Sequence, residues 1–328
     1  MSLSRLHTLY GIKIEPDSIS GSAVMLGGIR RQSLQAGINV QQETVSGSVY
    51  AQWQSVYSTS PGMGFSTVSI ARALGCIGTT GLAITAAAAG TGVTAYGYKK
   101  SEGGTRMALA SNHISYNFKE GLLLPRRISV SHQGDATLDI DMLATYDGTN
   151  APVVQTNAAT APTNGVDDER FTIGAVKLGT GSGDQIVITQ IQNLEIDFGI
   201  SASVNGSDSD IFPTFAVIDE IPRPTIRFTT NDMTLLSLTN GLPLQGKDID
   251  LSHCIIYLRK RARVTASGYV ADATEEHISL IPTAGCAYIT DLGDYGSSSG
   301  NGTCSVEIPL IWDGTNAPLA LDTTAAIA

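Results

Sequence analysis

The sequence predicts an all-β protein with one short helix per domain, arranged as two tandem copies of a β-sandwich or barrel-like domain over 1–165 and 166–328. Three observations carry this prediction. The string DGTNAP occurs at Asp147 and again at Asp313. Of 328 residues, 35 are glycine and only 15% are charged, a composition that favours many turns and strands over long solvated helices. Beside each copy of the string, apolar and polar residues alternate with the period of a strand.

The repeat extends well beyond six residues. Upstream of the string, Gly134 matches Gly300, Thr137 matches Thr303, Ile140 matches Val306, Asp141 matches Glu307 and Tyr146 matches Trp312. SNHIS at Ser111 pairs with EEHIS at Glu275, TTGLAI at Thr79 with LTNGLPL around Gly241, FST at Phe65 with FTT at Phe228, and Gly37-Ile38 with Gly199-Ile200. The order is kept and the offset drifts by only a few residues, as small loop insertions would produce. A period this long is the size of a domain, unlike the roughly 20–50 residues of solenoid repeats. The segment Thr156 to Arg170, rich in Ala, Thr, Asn and Pro, reads as the linker.

The elements follow from local pattern. In ATLDIDMLATYDG, Leu138, Ile140 and Met142 alternate with Asp139 and Asp141, and in the second copy Val306, Ile308 and Leu310 alternate with Ser305 and Glu307. Turn-rich SHQGD and YGSSSGNG precede these strands and make each the second arm of a hairpin. DGTNAP reads as a strand exit, because Asp-Gly favours a turn and Ala-Pro forces extended geometry. Further strands are predicted in GIKIEP, LQAGINVQQ, YAQWQSVYS, GVTAYGYK, QIVITQIQNLEIDFGI, TFAVIDEI and CIIYLRKRARVTASGYV. One helix falls in each copy, in FSTVSIARALG with Thr67 as cap and in FTTNDMTLLSLTNG with Thr230 or Asn231 as cap and Gly241 as stop.

Charge divides unevenly. Up to residue 166 there are eleven Lys and Arg against nine Asp and Glu; beyond it, nine against twenty-one. The overall charge of −10 argues against a protein that grips nucleic acid through its phosphates. The start MSLSRLHTLY lacks a signal-peptide pattern and no run of about 18 apolar residues occurs, so the expectation is a protein made and used without crossing a membrane. Cys76, Cys254, Cys286 and Cys304 form no C-x-x-C pair and are expected as buried free thiols.

Catalytic patterns are weak. Ser66 lacks the second glycine of a nucleophile elbow and reads as a helix-capping residue, GTGSGD at Gly179 is not a phosphate loop, and Asp291 with Asp294 fits no calcium-loop spacing. His113 and His277 occupy equivalent places and read as structural hydrogen-bonding residues. The expectation is no enzyme, no cofactor and no metal. RKRAR presents Arg259, Arg261 and Arg263 on one strand face with Lys260 on the other, suited to an acidic neighbouring surface or to solvent.

Taken together, the short helix in each copy (Thr67 to Leu74; Asn231 to Leu238), the long hairpins and the strings TYDGTNAP and IWDGTNAP make the chain similar to phage major tail proteins, the tail tube subunits of long-tailed bacteriophages. The resemblance covers both halves. It implies stacked hexameric or pseudo-hexameric rings, here trimers of a duplicated chain, forming a conduit through which double-stranded DNA passes without specific binding. It further implies other tail proteins as partners, no membrane, and a place in the virion tail after assembly in the host cytoplasm. A negative lumen repels DNA, so Asp139, Asp141 and Glu307 are the lumen candidates. Arg126, Arg127, Arg259, Arg261 and Arg263 are the subunit-contact candidates, with Lys99 and Lys100 also expected at ring or subunit contacts. A capsid decoration or other virion surface β protein is the alternative.

Overall fold

The structure is a computed structural model that describes residues 5–15, 23–85, 92–100, 107–108, 110, 113–162, 169–178, 186–206, 211–220, 222–236, 242–250, 254–263, 268–293 and 302–327. The first half holds β1 (Arg5–Glu15), β2 (Val24–Leu26), β3 (Ile29–Gln35), β4 (Ile38–Glu43), β5 (Trp53–Thr59) and β6 (Gly62–Thr67). Helix α1 (Ile70–Ile77) follows, then β7 (Leu82–Ile84), β8 (Gly92–Lys100), β9 (His113–Phe118), β10 (Glu120–Ser131), β11 (Thr137–Thr145) and β12 (Val153–Ala159). The second half begins with β13 (Phe171–Leu178), β14 (Ile186–Ile188), β15 (Ile191–Asp197), β16 (Ala202–Asn205), β17 (Phe215–Ile218) and β18 (Thr225–Thr230). A 3-10 turn at Met233–Leu236 precedes β19 (Lys247–Asp250), β20 (Cys254–Lys260), β21 (His277–Pro282), β22 (Ala284–Asp291), β23 (Cys304–Pro309) and β24 (Leu319–Ala325).

Strand pairing runs in parallel through the two halves. A five-stranded sheet β12-β9-β8-β1-β2 in the first has its counterpart β14-β13-β20-β21-β24 in the second, and the two-stranded hairpin β4-β5 has β16-β17. The remaining strands join one ten-stranded sheet, β19-β22-β23-β18-β15-β10-β11-β6-β3, with β7 also on β10. Every strand pair among the described residues is antiparallel, and α1 is the one α-helix among them, so the fold is all-β. Ile12, Val93 and Phe118 from a small sheet and Leu138, Ile140 and Ile226 from the large one belong to one buried cluster, as two packed layers require.

Details recur along with the topology. Gly37 and Gly199 both have positive φ, +58° and +61°, and an added Cβ would strike the backbone of Ser60 or Arg223 respectively. Only glycine fits this approach. Thr67 and Thr230 each donate their hydroxyl to a carbonyl, of Gly27 at 2.9 Å and of Thr189 at 2.7 Å. Register shifts fall between Pro125 and Arg127 in β10 and between Ile289 and Asp291 in β22, each a bulge opposite its hairpin partner.

Several expectations are corrected. Thr156–Ala159 of the expected linker finish β12, paired to β9, because alternate contacts with a neighbouring strand outweigh a loop-like composition; residues 163–168 lie outside the described residues. Thr67 and Ser66 end β6 rather than capping, and the N-terminal cap position belongs to Ser69, whose side chain makes no cap hydrogen bond. The second helix is only the four-residue 3-10 turn, and Gly241 lies outside the described residues. The counterpart of β7 is β19: Ile84 faces Gly121 as Ile249 faces Gly285, so TTGLAI corresponds to the segment after Gly246 rather than to LTNGLPL. LQAGINVQQ divides at Gly37 into β3 and β4. Cys254 and Cys304 are buried thiols, whereas Cys76 and Cys286 are half-buried. Burial pushes the Cys254 thiol up to about 12.

Candidate functional site: a charged sheet face and a strand junction

Period-two alternation sends Leu138, Ile140 and Met142 of β11 into the core and Asp139 and Asp141 to the opposite face. In β23, Val306 and Ile308 point inward and Glu307 outward. Antiparallel register then sets cations beside these carboxylates. Arg127 of β10 lies 3.3 Å from Asp139 and 3.6 Å from Glu195 of β15; Arg227 of β18 lies 3.8 Å from Glu195 and 3.1 Å from Glu307. Charges therefore alternate in sign across five neighbouring strands. The Glu307 hydrogen bond, reinforced by Glu195 and Asp197, raises the Arg227 pKa against the opposing effect of burial. A shallow depression of about 570 Å³ follows this face, lined by Ser129, Thr137, Asn193, Glu195, Arg227, Thr229 and Glu307 among others.

Arg126 and Arg127, expected at subunit contacts, share the face of Asp139 and Asp141. The β10 bulge turns both toward it, and Arg126 binds Asp141 at 2.7 Å and donates to the Ile200 carbonyl. These side chains are half-buried to exposed, each reached by solvent, so each pair contributes no more than about 1 kcal/mol and the ladder does not hold the sheet together.

What holds it is the junction between halves. β15 pairs with β10 through Arg127↔Asp197, Ile128↔Ile196, Ser129↔Glu195, Val130↔Leu194 and Ser131↔Asn193. Ile128 and Ile196 are fully buried, and burying such side chains is worth about 1.5–3 kcal/mol each. The tip of the second hairpin completes the contact. The Ile211 carbonyl accepts the Thr59 N–H at 2.8 Å, the Pro213 carbonyl accepts the Tyr146 N–H at 2.7 Å, and Phe212 stacks on Tyr146.

The remaining basic candidates separate. β20 ends at Lys260, so RKRAR is not one strand face. Arg259 pairs with Asp272 at 2.8 Å and lies over the Tyr269 ring. Arg261 crosses to the first half, 3.1 Å from Asp135 and donating to the Gln133 carbonyl at 2.7 Å. Arg263 is exposed beyond the strand. Lys99 and Lys100 end β8. Asp291 accepts the Gly293 N–H, while Asp294 and the GTGSGD run lie outside the described residues.

The duplicated histidines do the same structural work. His113 Nδ1 accepts the Lys99 N–H and His277 Nδ1 the Lys260 N–H, both at 3.0 Å; the Nε2 atoms then donate to the Ala108 and Ala271 carbonyls. DGTNAP is equally literal. Asp147 Oδ1 accepts the N–H groups of Thr149 and Asn150 while Oδ2 takes the Asn150 amide, and Asp313 treats Thr315 and Asn316 identically. Gly148 and Gly314 supply the positive φ that this turn needs.

No family model matches the chain, and no curated protein matches it. Function must therefore be argued from the charged face and the junction. Sequence reasoning missed Glu195, Arg227 and the Asp135 cluster, although LEID and TIRF carry the alternation that puts the first two on the polar face.

Proposed function

We propose that the protein is a structural virion protein, a phage tail tube subunit made of two tandem copies of one tube domain. Three chains supply six domains to a ring, and stacked rings enclose a passage for double-stranded DNA. The observation that carries this reading is the β15–β10 junction, a head-to-tail contact that extends one sheet from the first half into the second. A head-to-tail contact that repeats must either close a ring or grow a filament. Continuation of the sheet from chain to chain makes a closed barrel, which removes open strand edges.

On this reading the polar face of the ten-stranded sheet lines the passage, with Asp139, Asp141 and Glu307 on it. The neighbouring arginines bind carboxylates of the same face, so the lining is polar and partly neutralised, with Glu195 and Asp197 adding to the acidic side. Such a surface offers DNA phosphates no concentrated basic footprint, and strands slide past it. The protein makes and breaks no covalent bond.

Negative-stain electron microscopy of the purified chain, with sedimentation velocity on the same sample, tests the proposal. Hollow tubes or rings with a threefold repeat of a double-domain subunit are the expected result. Closed small oligomers without a central passage would overturn it in favour of a capsid decoration protein.

A further inference from the structure

The contact between halves has two unmatched counterparts on the outside of the chain. The second edge of β3, the counterpart of β15, carries no paired strand among the described residues, and neither does the end of β22 at Asp291, the counterpart of Arg127. Equivalent registers of β3 on β6 and β15 on β18 place Leu34 where Ile196 lies, and the matching bulges place Leu292 where Ile128 lies. Ile196 and Ile128 are fully buried; Leu34 and Leu292 are only partly so.

The hairpins differ in the same way. Thr214 N–H bonds the Asn205 carbonyl as Gln52 N–H bonds the Glu43 carbonyl, so Tyr50 is the counterpart of Phe212 and Val49 that of Ile211. The DGTNAP strings make Trp312 the counterpart of Tyr146. Phe212 and Tyr146 stack with ring centroids 5.8 Å apart and 28° between planes, whereas Tyr50 is 79% and Trp312 57% exposed, with Val49 at 92%. Ala202, Ser203 and Val204 of β16 are half-buried, while every residue of its counterpart β4 stands exposed. Two separate sets of exposed side chains, Val49 with Tyr50 and Ile311 with Trp312, mark two interaction surfaces.

Resting on the ring reading, we infer that a second copy of this chain occupies each of these surfaces, and that Tyr50 of one copy stacks on Trp312 of the next. β3 of the first copy extends the β22 edge of the second, with Leu34 opposite Leu292 and Gln35 opposite Asp291. The occupant is fixed by the chain's own junction, which supplies the complementary partner for each free surface. The aromatic pair acts as a clasp at the outer end of each junction.

The test uses the full chain and the variants Tyr50→Ala and Trp312→Ala, with Tyr57→Ala, another exposed aromatic on the same hairpin, as control. At concentrations where the wild type is a single chain, far-UV circular dichroism and thermal melts of each variant should match it, since the side chains removed are exposed in the single chain. In sedimentation velocity the clasp requires the wild type to assemble, Tyr57→Ala to follow it, and each clasp variant to associate at least tenfold more weakly. An equimolar mixture of the two clasp variants keeps one Tyr50 and one Trp312 able to meet, so it should give a two-chain species that neither gives alone. If the wild type assembles and either clasp variant assembles equally well, or the mixture yields no two-chain species, the clasp is overturned while the ring reading stands. A wild type that remains a single chain at every concentration overturns both.

Discussion

Arg261, in the second half, places its guanidinium 3.1 Å from the Asp135 carboxylate in the first. Asp135 also receives Arg30 at 2.7 Å and Arg170 at 3.2 Å, so one carboxylate is shared by three arginines where the halves meet. Removing the acid leaves like charges crowded together, which is worse than losing any single cation. Asp135→Ala should therefore lower unfolding stability by about 2 kcal/mol, and Arg30→Ala by under about 1 kcal/mol. Urea unfolding of both variants checks the ranking.

The duplicated histidines predict paired losses. His277→Phe keeps the volume but leaves the Lys260 N–H and the Ala271 carbonyl without their partner in a buried site. A cost of about 2 kcal/mol is expected, since an orphaned buried group loses its full desolvation penalty. His113→Phe should cost a similar amount, and urea midpoints of the two variants would show whether the sites are equivalent.

Gly199→Ala forces a side chain into the Arg223 backbone at positive φ, and Gly37→Ala does the same at Ser60. Each should destabilise by about 1–3 kcal/mol. Gly75→Ala, in α1 with open space around it, should be neutral or stabilising. Thermal melts of the three variants separate backbone strain from a general intolerance of alanine.

Acid should act through Asp232. Burial pushes its pKa upward, but the Thr189 N–H and the Thr234 hydroxyl and N–H prevail and hold it at about 2, below the ordinary value of 3.8. A carboxylate depressed on folding stabilises the protein above its unfolded pKa, and that contribution is lost as pH falls through about 4 to about 2. Urea midpoints measured at pH 5 and pH 2.5 should fall further for the wild type than for Asp232→Asn, which has no proton to gain.

Much of this fold is legible in the residues, and the physical reason is local. Leu138-Asp139-Ile140-Asp141 states its own two faces, and DGTNAP contains every group of its turn, the carboxylate, the amides it binds and the glycine that permits them. His113 and His277 are likewise read correctly from position alone. Long-range relationships are different. Nothing in the local pattern of LEID says that β15 will lie against β10, because that pairing joins residues far apart and depends on which edges other strands have already taken. Arg126 and Arg127 would normally point to opposite faces as neighbours in a strand; a bulge reverses that parity, and bulges depend on the partner strand. The RKRAR segment fails similarly, since β20 stops where its neighbours stop.

The bulge beyond Pro125 has a larger consequence than the direction of two arginines. β7 pairs with β10 before it and β15 after it, both on the same edge, so the strand changes course between the neighbour from its own half and the neighbour from the other. A single unpaired position thus works as a hinge setting, the point at which the heading of one half relative to the other is dialled. Straightening it without deleting a residue would carry Ile128 and Val130 from the core to the charged face, so the bearing of the second half and the packing beneath it are set together. One backbone position thus decides both which side chains enter the core and where the second half's edge strand can attach.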